Sequence, residues 1–281
     1  MYNIDMSYRC ILCDLDETLL DNKKNIHMDN VNSIHGLKEK NVKFVCSTGR
    51  HYSAIASILK TLDLYNKENE YIVSLNGALI VECKDHKVLY SSTFSGLKAM
   101  DIVKFACIHD LCMELYTPNN IYIYNLNDDE RARVNKAGLS FIEMDDWNVD
   151  VLNHEDVLKI ALQSCDYPFL LSLKDEASSI IDDTIGFTFS SNRYMEFNAS
   201  STSKGAALKW LANYLKIGID ETIAIGDHLN DVSMLEVAGL SVAVSNAQDE
   251  VKKICDVITD RSNNEGAIAE VINKYVGGLY E

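Results

Sequence analysis

Two acids, Asp14 and Asp16, close the short apolar run Cys10 to Cys13, and Thr18 stands just beyond. Residues two apart on an extended chain point to the same side. Both carboxylates can therefore face one site at the carboxyl end of a strand, where open α/β sheets bind ligands. Close carboxylates perturb each other unless a cation lies between them. The pair thus asks for a metal or for one bound proton. Taken alone, the same residues also fit a strand ending in a capped polar turn.

Ser47-Thr48-Gly49-Arg50 follows a second apolar run, Val42 to Cys46. Thr48 offers a hydroxyl, and Gly49 lets backbone approach an anion, although an ordinary turn would use the same residues. Gly226-Asp227-His228-Leu229-Asn230-Asp231 follows a third run, Thr222 to Ile225. Asp227, Asn230 and Asp231 cluster hard oxygen donors. With Asp14 they would suit Mg²⁺, which prefers octahedral oxygen; equally, Asn and Asp cap helices. Lys204 falls in the predicted first turn of a helix, after Ser200-Ser201-Thr202-Ser203. A cation there opposes the helix dipole. An anion held nearby reverses that sign.

Such motifs need strands that bring them together. The first eighty residues read strand, helix, strand, helix, strand, ending in Asn76-Gly77. This order predicts a parallel sheet with right-handed crossovers. If the strands before Asp14, Ser47 and Gly226 are parallel neighbours, the three motifs converge on one end of the sheet. From Ala78 the texture changes to a hairpin, then mixed strands and helices, including a polar helix over 128–137 and a helix over 168–181. The α/β rhythm resumes with a helix over 203–215 and continues to a closing helix over 266–275. The fold class expected is α/β, a Rossmann-like parallel-sheet core with an inserted α+β domain. Residues 1–83 and 192–281 form the core and residues 84–191 the insert. Tyr122, Tyr124 and Trp147 are read as insert core rather than as selectivity residues.

The chain has 281 residues, 47% of them hydrophobic, enough for one core and a large insert or for two domains. Its net charge of −16 disfavours nucleic acid and anionic membranes. A phosphate-bearing substrate would be repelled too, so an anion site needs local cations. The 8 cysteines lie mostly in apolar runs and read as reduced, buried thiols of a cytoplasmic protein. No signal peptide is visible, and no run approaches the ~20 apolar residues of a membrane span.

In this order, Asp-x-Asp-x-Thr, Thr-Gly-Arg, Ser-Lys-Gly and Gly-Asp-x-x-Asn-Asp resemble the haloacid-dehalogenase-like superfamily. Asn76-Gly77-Ala78 before a large insert is similar to the Cof-type phosphatases of subclass IIB. So are Asn246-Ala247, Val251-Lys252, Thr259 and Glu265-Gly266-Ala267. The resemblance covers the whole core and implies an Mg²⁺-dependent phosphatase acting on a small phosphorylated metabolite. It implies Asp14 as nucleophile, Asp16 as general acid and base, and Lys204 as a third catalytic group. Thr48, Gly49, Arg50, Asn76 and Asn230 would bind phosphate or substrate. Asp14, Asp16 through its backbone carbonyl, Asp227 and Asp231 would hold the metal. The insert would be a cap over the carboxyl end of the sheet, and the chain a monomer or weak dimer. A phosphomutase or a silent binding protein on this fold are the alternatives. A silent relative would be expected to lose Asp14, Asp16 or Lys204, all of which are present. A dehalogenase is disfavoured, because displacing a halide needs no leaving-group acid such as Asp16. Glu17 departs from the pattern, standing where this family often has Gly. An acid there would narrow the range of substrates.

Overall fold

Strand β1 (Cys10–Asp14) is buried along its whole length, as expected of a parallel strand covered on both faces. The computed structural model describes residues 8–276. After β1 come α1 (Met28–Gly36), β2 (Lys43–Ser47), α2 (Ala56–Thr61), β3 (Tyr71–Ser74), β4 (Leu79–Glu82) and β5 (Lys87–Ser91). Then follow α3 (Gly96–Ile108), β6 (Cys112–Tyr116), β7 (Ile121–Tyr124), α4 (Asp128–Ala137), β8 (Ile142–Met144) and β9 (Lys159–Gln163). Next are α5 (Tyr167–Ser172), α6 (Lys174–Ser179), β10 (Ile185–Ser190) and β11 (Tyr194–Ala199). The chain closes with α7 (Lys204–Leu215), β12 (Thr222–Gly226), α8 (Val232–Leu235), β13 (Leu240–Ala243), α9 (Asp249–Lys252), β14 (Val257–Ile258) and α10 (Ala267–Tyr275). The fold is α/β with a parallel-rich sheet.

The chain divides into two units, one running to Leu89 and again from Ser203, the other Tyr90–Thr202. In the first, the strand order is β14-β13-β12-β1-β2-β3-β4-β5. β1 pairs in parallel with β12 on one side and β2 on the other, in the register Cys13↔Ile225 and Asp14↔Ser47. The three strands that carry the motifs are therefore neighbours ending at one edge. The β3–β4 pair is antiparallel.

In the second unit the order is β10-β11-β9-β6-β7-β8. Alternation along β6 sends Met113 and Leu115 into an apolar cluster with Ile102 of α3, Leu170 of α5 and Ala177 of α6. Glu114 and Tyr116, on the opposite face, are buried as well. Glu114 meets Arg133 of α4 at 2.6 Å. Tyr124 belongs to the apolar cluster, with Tyr122 and Trp147 packed against it, and Tyr124 stacks on Trp147 at 5.7 Å.

Several details differ from the sequence reading. The insert was expected over 84–191, yet the units divide at Tyr90 and Thr202. The hairpin β4–β5 extends the first sheet, and β11 lies between β10 and β9 in the second. The helix expected over 168–181 is two short helices meeting at Leu173. β8 was not anticipated; two of its three residues are exposed and it lies at a sheet edge. Cys10, Cys13, Cys46, Cys83 and Cys112 are buried thiols, but Cys107 and Cys165 are exposed. Among the described residues no helix is long and apolar enough to cross a membrane.

Candidate active site

Asp14 is the last residue of β1 and is buried. Lys204 reaches it from the first turn of α7. That helix starts here because Ser203 caps it, its hydroxyl accepting the Ala206 N–H at 3.1 Å. Gly77 lets the β3–β4 connection pass against this start. It has φ +100°, and a Cβ there would lie 2.2 Å from the Ser203 carbonyl. The Lys204 side chain is fully buried and donates to Asp14 Oδ1, to Asp231 Oδ1 at 2.6 Å and to the Ser47 carbonyl at 3.5 Å. The ammonium that would burden a bare helix start is thus held by two carboxylates.

The turn after β12 brings the other acids. The Asp227 and His228 N–H groups donate to Asp231 Oδ2 at 3.0 and 3.1 Å. Gly226 permits this tight turn, since a Cβ there would lie 2.6 Å from Asp231 Cβ. Thr18 donates to Asp227 Oδ1 at 2.7 Å. Oxygens of Asp14, Asp227 and Asp231 lie within 4.8 Å of one another, and all three residues are buried.

Charge balance tests whether a metal fits. Three carboxylates and one ammonium leave two negative charges in excess. A divalent cation would cancel them, and oxygen donors are what Mg²⁺ takes. Protonation tells the same story. Burial pushes Asp14 up to about 8 despite Lys204, with Asp231 and Asp227 adding to the rise. Asp227 is pushed up to about 6, again chiefly by burial. Burial opposes the Lys204 charge, but Asp14 and Asp231 outweigh it and raise its pKa.

Asp16 sits differently. Arg50 grips it with Nε at 2.9 Å and a second nitrogen at 2.5 Å, and Lys24 Nζ adds a contact at 3.0 Å. Burial alone would raise this carboxyl, but Arg50 and then Lys24 prevail and hold it below the ordinary range. Thr48 is buried; its hydroxyl accepts the Arg50 N–H at 3.1 Å and its carbonyl the Asn76 N–H at 2.9 Å. Gly49 faces the Asn76 side chain, and Asn230 Nδ2 donates to Asn76 Oδ1 at 3.2 Å. The candidate site residues fall into two sets, Asp14, Lys204, Asp227 and Asp231 in one and Asp16, Thr48, Gly49, Arg50, Asn76 and Asn230 in the other, and the Lys204 ammonium reaches toward the second at the Ser47 carbonyl. Two more, Thr18 and Lys24, received no role from the sequence. Thr18 had a visible signal, its place two residues after Asp16. Lys24 lies in a polar turn that gives none.

These contacts describe a buried, acid-lined site at the end of the parallel strands. The haloacid dehalogenase-like hydrolase family matches residues 11–272. Phosphatase YwpJ of Bacillus subtilis is 28% identical, over 94% of this chain and 98% of its own length. Putative phosphatase YxeH of the same organism is 30% identical, over 96% and 98%. A haloacid dehalogenase-like hydrolase from Bacteroides thetaiotaomicron superposes with a TM-score of 0.85 at 27% identity, over 95% of this chain and 99% of that one. With a family match that spans both halves of the core and the unit between them, the chain belongs to the haloacid dehalogenase-like hydrolases.

Proposed function

We propose that the chain is a phosphatase that hydrolyses a small phosphorylated metabolite, a sugar phosphate or similar, through an aspartyl-phosphate. The observation that carries this reading is Asp14, a buried carboxylate at a strand end, bonded to Lys204 and facing Asp227 and Asp231. Relatives named as phosphatases support it.

In this reading an Asp14 oxygen attacks phosphorus and the ester P–O bond breaks. Asp16 protonates the departing oxygen, then takes a proton from the water that attacks the aspartyl-phosphate and frees Asp14. Asp16 is held between Arg50 and Lys24, so acting as an acid requires it to release at least one of them. Lys204 and Thr48 hold phosphoryl oxygens, with Gly49, Arg50, Asn76 and Asn230 on the substrate side. Asp14, Asp227, Asp231 and the Asp16 carbonyl would hold Mg²⁺. Such an ion, when bound, neutralises charge on phosphoryl oxygens.

The test is a panel of phosphate esters assayed for released phosphate with Mg²⁺ and with EDTA. Turnover that EDTA stops, and that Asp227→Ala loses while remaining folded, is expected. Full activity of Asp227→Ala in EDTA would remove the metal assignment, and no turnover of any ester would remove the phosphatase reading.

A further inference from the structure

Lys24 stands at φ +64°, in the left-handed region that costs a residue with a Cβ. The turn that holds it there is built without its side chain. The Asp21 N–H donates to the Asn25 carbonyl at 2.8 Å, and the Lys24 N–H to the Asp21 carbonyl at 2.9 Å. Asp21 Oδ1 accepts the Lys23 and Asn25 N–H groups, both at 2.8 Å. The bridges Asp16↔Leu20 and Leu20↔Ile26 lay this turn beside Asp16. The Lys24 side chain is half-exposed, and among the described residues its one charged partner is Asp16. An exposed pair of this kind adds little to stability. A role in folding therefore does not account for a lysine at this strained position.

Asp16 does not need it for charge balance either. Its one carboxylate meets two cations, and they hold it unequally. Arg50 binds both oxygens, with Nε on Oδ2 and a terminal nitrogen on Oδ1. The Arg50 backbone is fixed as well: its N–H donates to Thr48 Oγ1 at 3.1 Å, and its carbonyl accepts the Ser74 hydroxyl at 2.8 Å. Lys24 makes one contact, to Oδ1 at 3.0 Å, from a flexible four-carbon stem. When Asp16 frees an oxygen for the ester, Lys24 is the cation that gives way. Its ammonium is then in surplus beside the leaving group.

The distances say what pairs with it. A leaving oxygen within hydrogen-bond reach of Asp16 Oδ1 lies ~2.6–3.2 Å from it, and the ammonium stands 3.0 Å from the same atom. Ester oxygen and ammonium are thus about 6 Å apart at most before the stem moves. A carboxylate on the carbon that bears the ester oxygen spans that gap with one charge-assisted hydrogen bond of about 2.7–2.9 Å. We propose that Lys24 is a specificity-determining residue: its ammonium, in surplus over the Asp16 carboxylate, pairs with a carboxylate of the substrate and selects phosphate esters of 2-hydroxy acids. The proposal rests on the phosphatase reading, with Asp16 at the leaving group, and adds the substrate class. In a chain of net charge −16, so anionic a substrate needs a local cation of this kind.

The experiment measures kcat and KM for glycerate 2-phosphate and glycerol 2-phosphate, which differ by a carboxylate in place of a hydroxymethyl group. Wild type, Lys24→Met and Lys24→Arg are compared with Mg²⁺ present. Wild type should prefer the acid ester. Lys24→Met should lower the acid-to-alcohol ratio of kcat/KM by about tenfold, equivalent to about 1.4 kcal/mol, and mainly through KM. Lys24→Arg, which keeps the charge, should retain the preference. Added salt should narrow the preference of wild type and not that of Lys24→Met. A lysine that merely steadied Asp16 would lower kcat for both esters alike in Lys24→Met, leaving the ratio unchanged, and that result overturns the proposal. So does a ratio that falls equally in Lys24→Arg, or a wild type that shows no preference for the acid ester or cleaves neither ester. In each of these cases nitrophenyl phosphate turnover keeps the phosphatase reading alive. A wild type that cleaves neither nitrophenyl phosphate nor any other ester overturns both.

Discussion

Replacing Glu114 by Gln should make the protein more stable at neutral pH and no more stable in mild acid. Glu114 on β6 is buried beside Glu130 of α4, and Arg133 serves both, at 2.6 Å from Glu114. Tyr116 donates to Glu114, and Tyr194 to Glu130 at 2.8 and 2.9 Å. Arg193 also reaches Glu130 at 3.0 Å. Burial, then the neighbouring Glu130, push Glu114 from the ordinary 4.5 up to about 7. A carboxyl raised in the folded state binds its proton more tightly there. Stability is then greatest while it is protonated and falls as pH climbs from 4.5 through about 7. Glu130 is shifted the other way, and its effect falls below its ordinary value, outside this window. At about 1.4 kcal/mol per pH unit, the penalty at neutral pH approaches 3 kcal/mol. Gln copies the protonated acid and cannot ionise. Urea unfolding of both proteins at about pH 5 and about pH 8 isolates the effect, because other titrating groups cancel in the difference. The gap should open from near zero to about 2–3 kcal/mol in favour of Glu114→Gln. A variant destabilised by the same amount at both pH values would refute the account of a carboxyl raised by burial and by Glu130.

Asp14→Asn should abolish turnover and leave no covalent intermediate. Asp16→Asn should hurt sugar esters by about 10²–10⁴-fold, and nitrophenyl phosphate less in the first step, with a burst of nitrophenolate as the intermediate accumulates. Rapid-quench kinetics decides: a burst from Asp14→Asn would mean the roles are exchanged. Lys204→Met strands Asp14 and Asp231 and should cost about 3–5 kcal/mol without metal. Melting with Mg²⁺ and with EDTA should show a larger metal-dependent gain in this variant than in wild type. Gly77→Ala forces a Cβ to 2.2 Å from the Ser203 carbonyl at φ +100°. It should destabilise by more than about 1 kcal/mol and lower kcat by displacing Lys204, as melting and steady-state assays would show.

The core was readable because its signals are local. Buried parallel strands announce themselves as short apolar runs, and polar motifs directly after β1, β2 and β12 mark one sheet edge. Family resemblance supplied the link between Lys204 and Asp14, 190 residues apart. What stayed hidden depends on geometry that no spacing encodes. Lys24 reaches Asp16 only because the chain turns back at Asp21, whose backbone N–H and carbonyl bond Asn25 and Lys24. The division near Tyr90 was missed because β5 has no burial contrast with the hairpin turn before it. The break at Leu173 was missed because apolar residues continue across it. The Glu114 cluster was invisible, since a lone Glu between Met113 and Leu115 reads as the solvated side of a strand.

The sheet order also constrains the sequence of events in folding. β1 is the first strand made, yet one of its two partners, β12, begins at Thr222, after the entire second unit. Pairing at such separation makes for slow folding. During synthesis, β1 to β5 can associate while one edge of β1 stays bare, and an unpaired edge invites association with other chains. Lys204, Asp227 and Asp231 all arrive with that late segment. A nascent chain halted before residue 204 would carry Asp14 without any of its charged partners. Chemical competence therefore comes with the pairing of β12 on β1, not with the first half of the sheet.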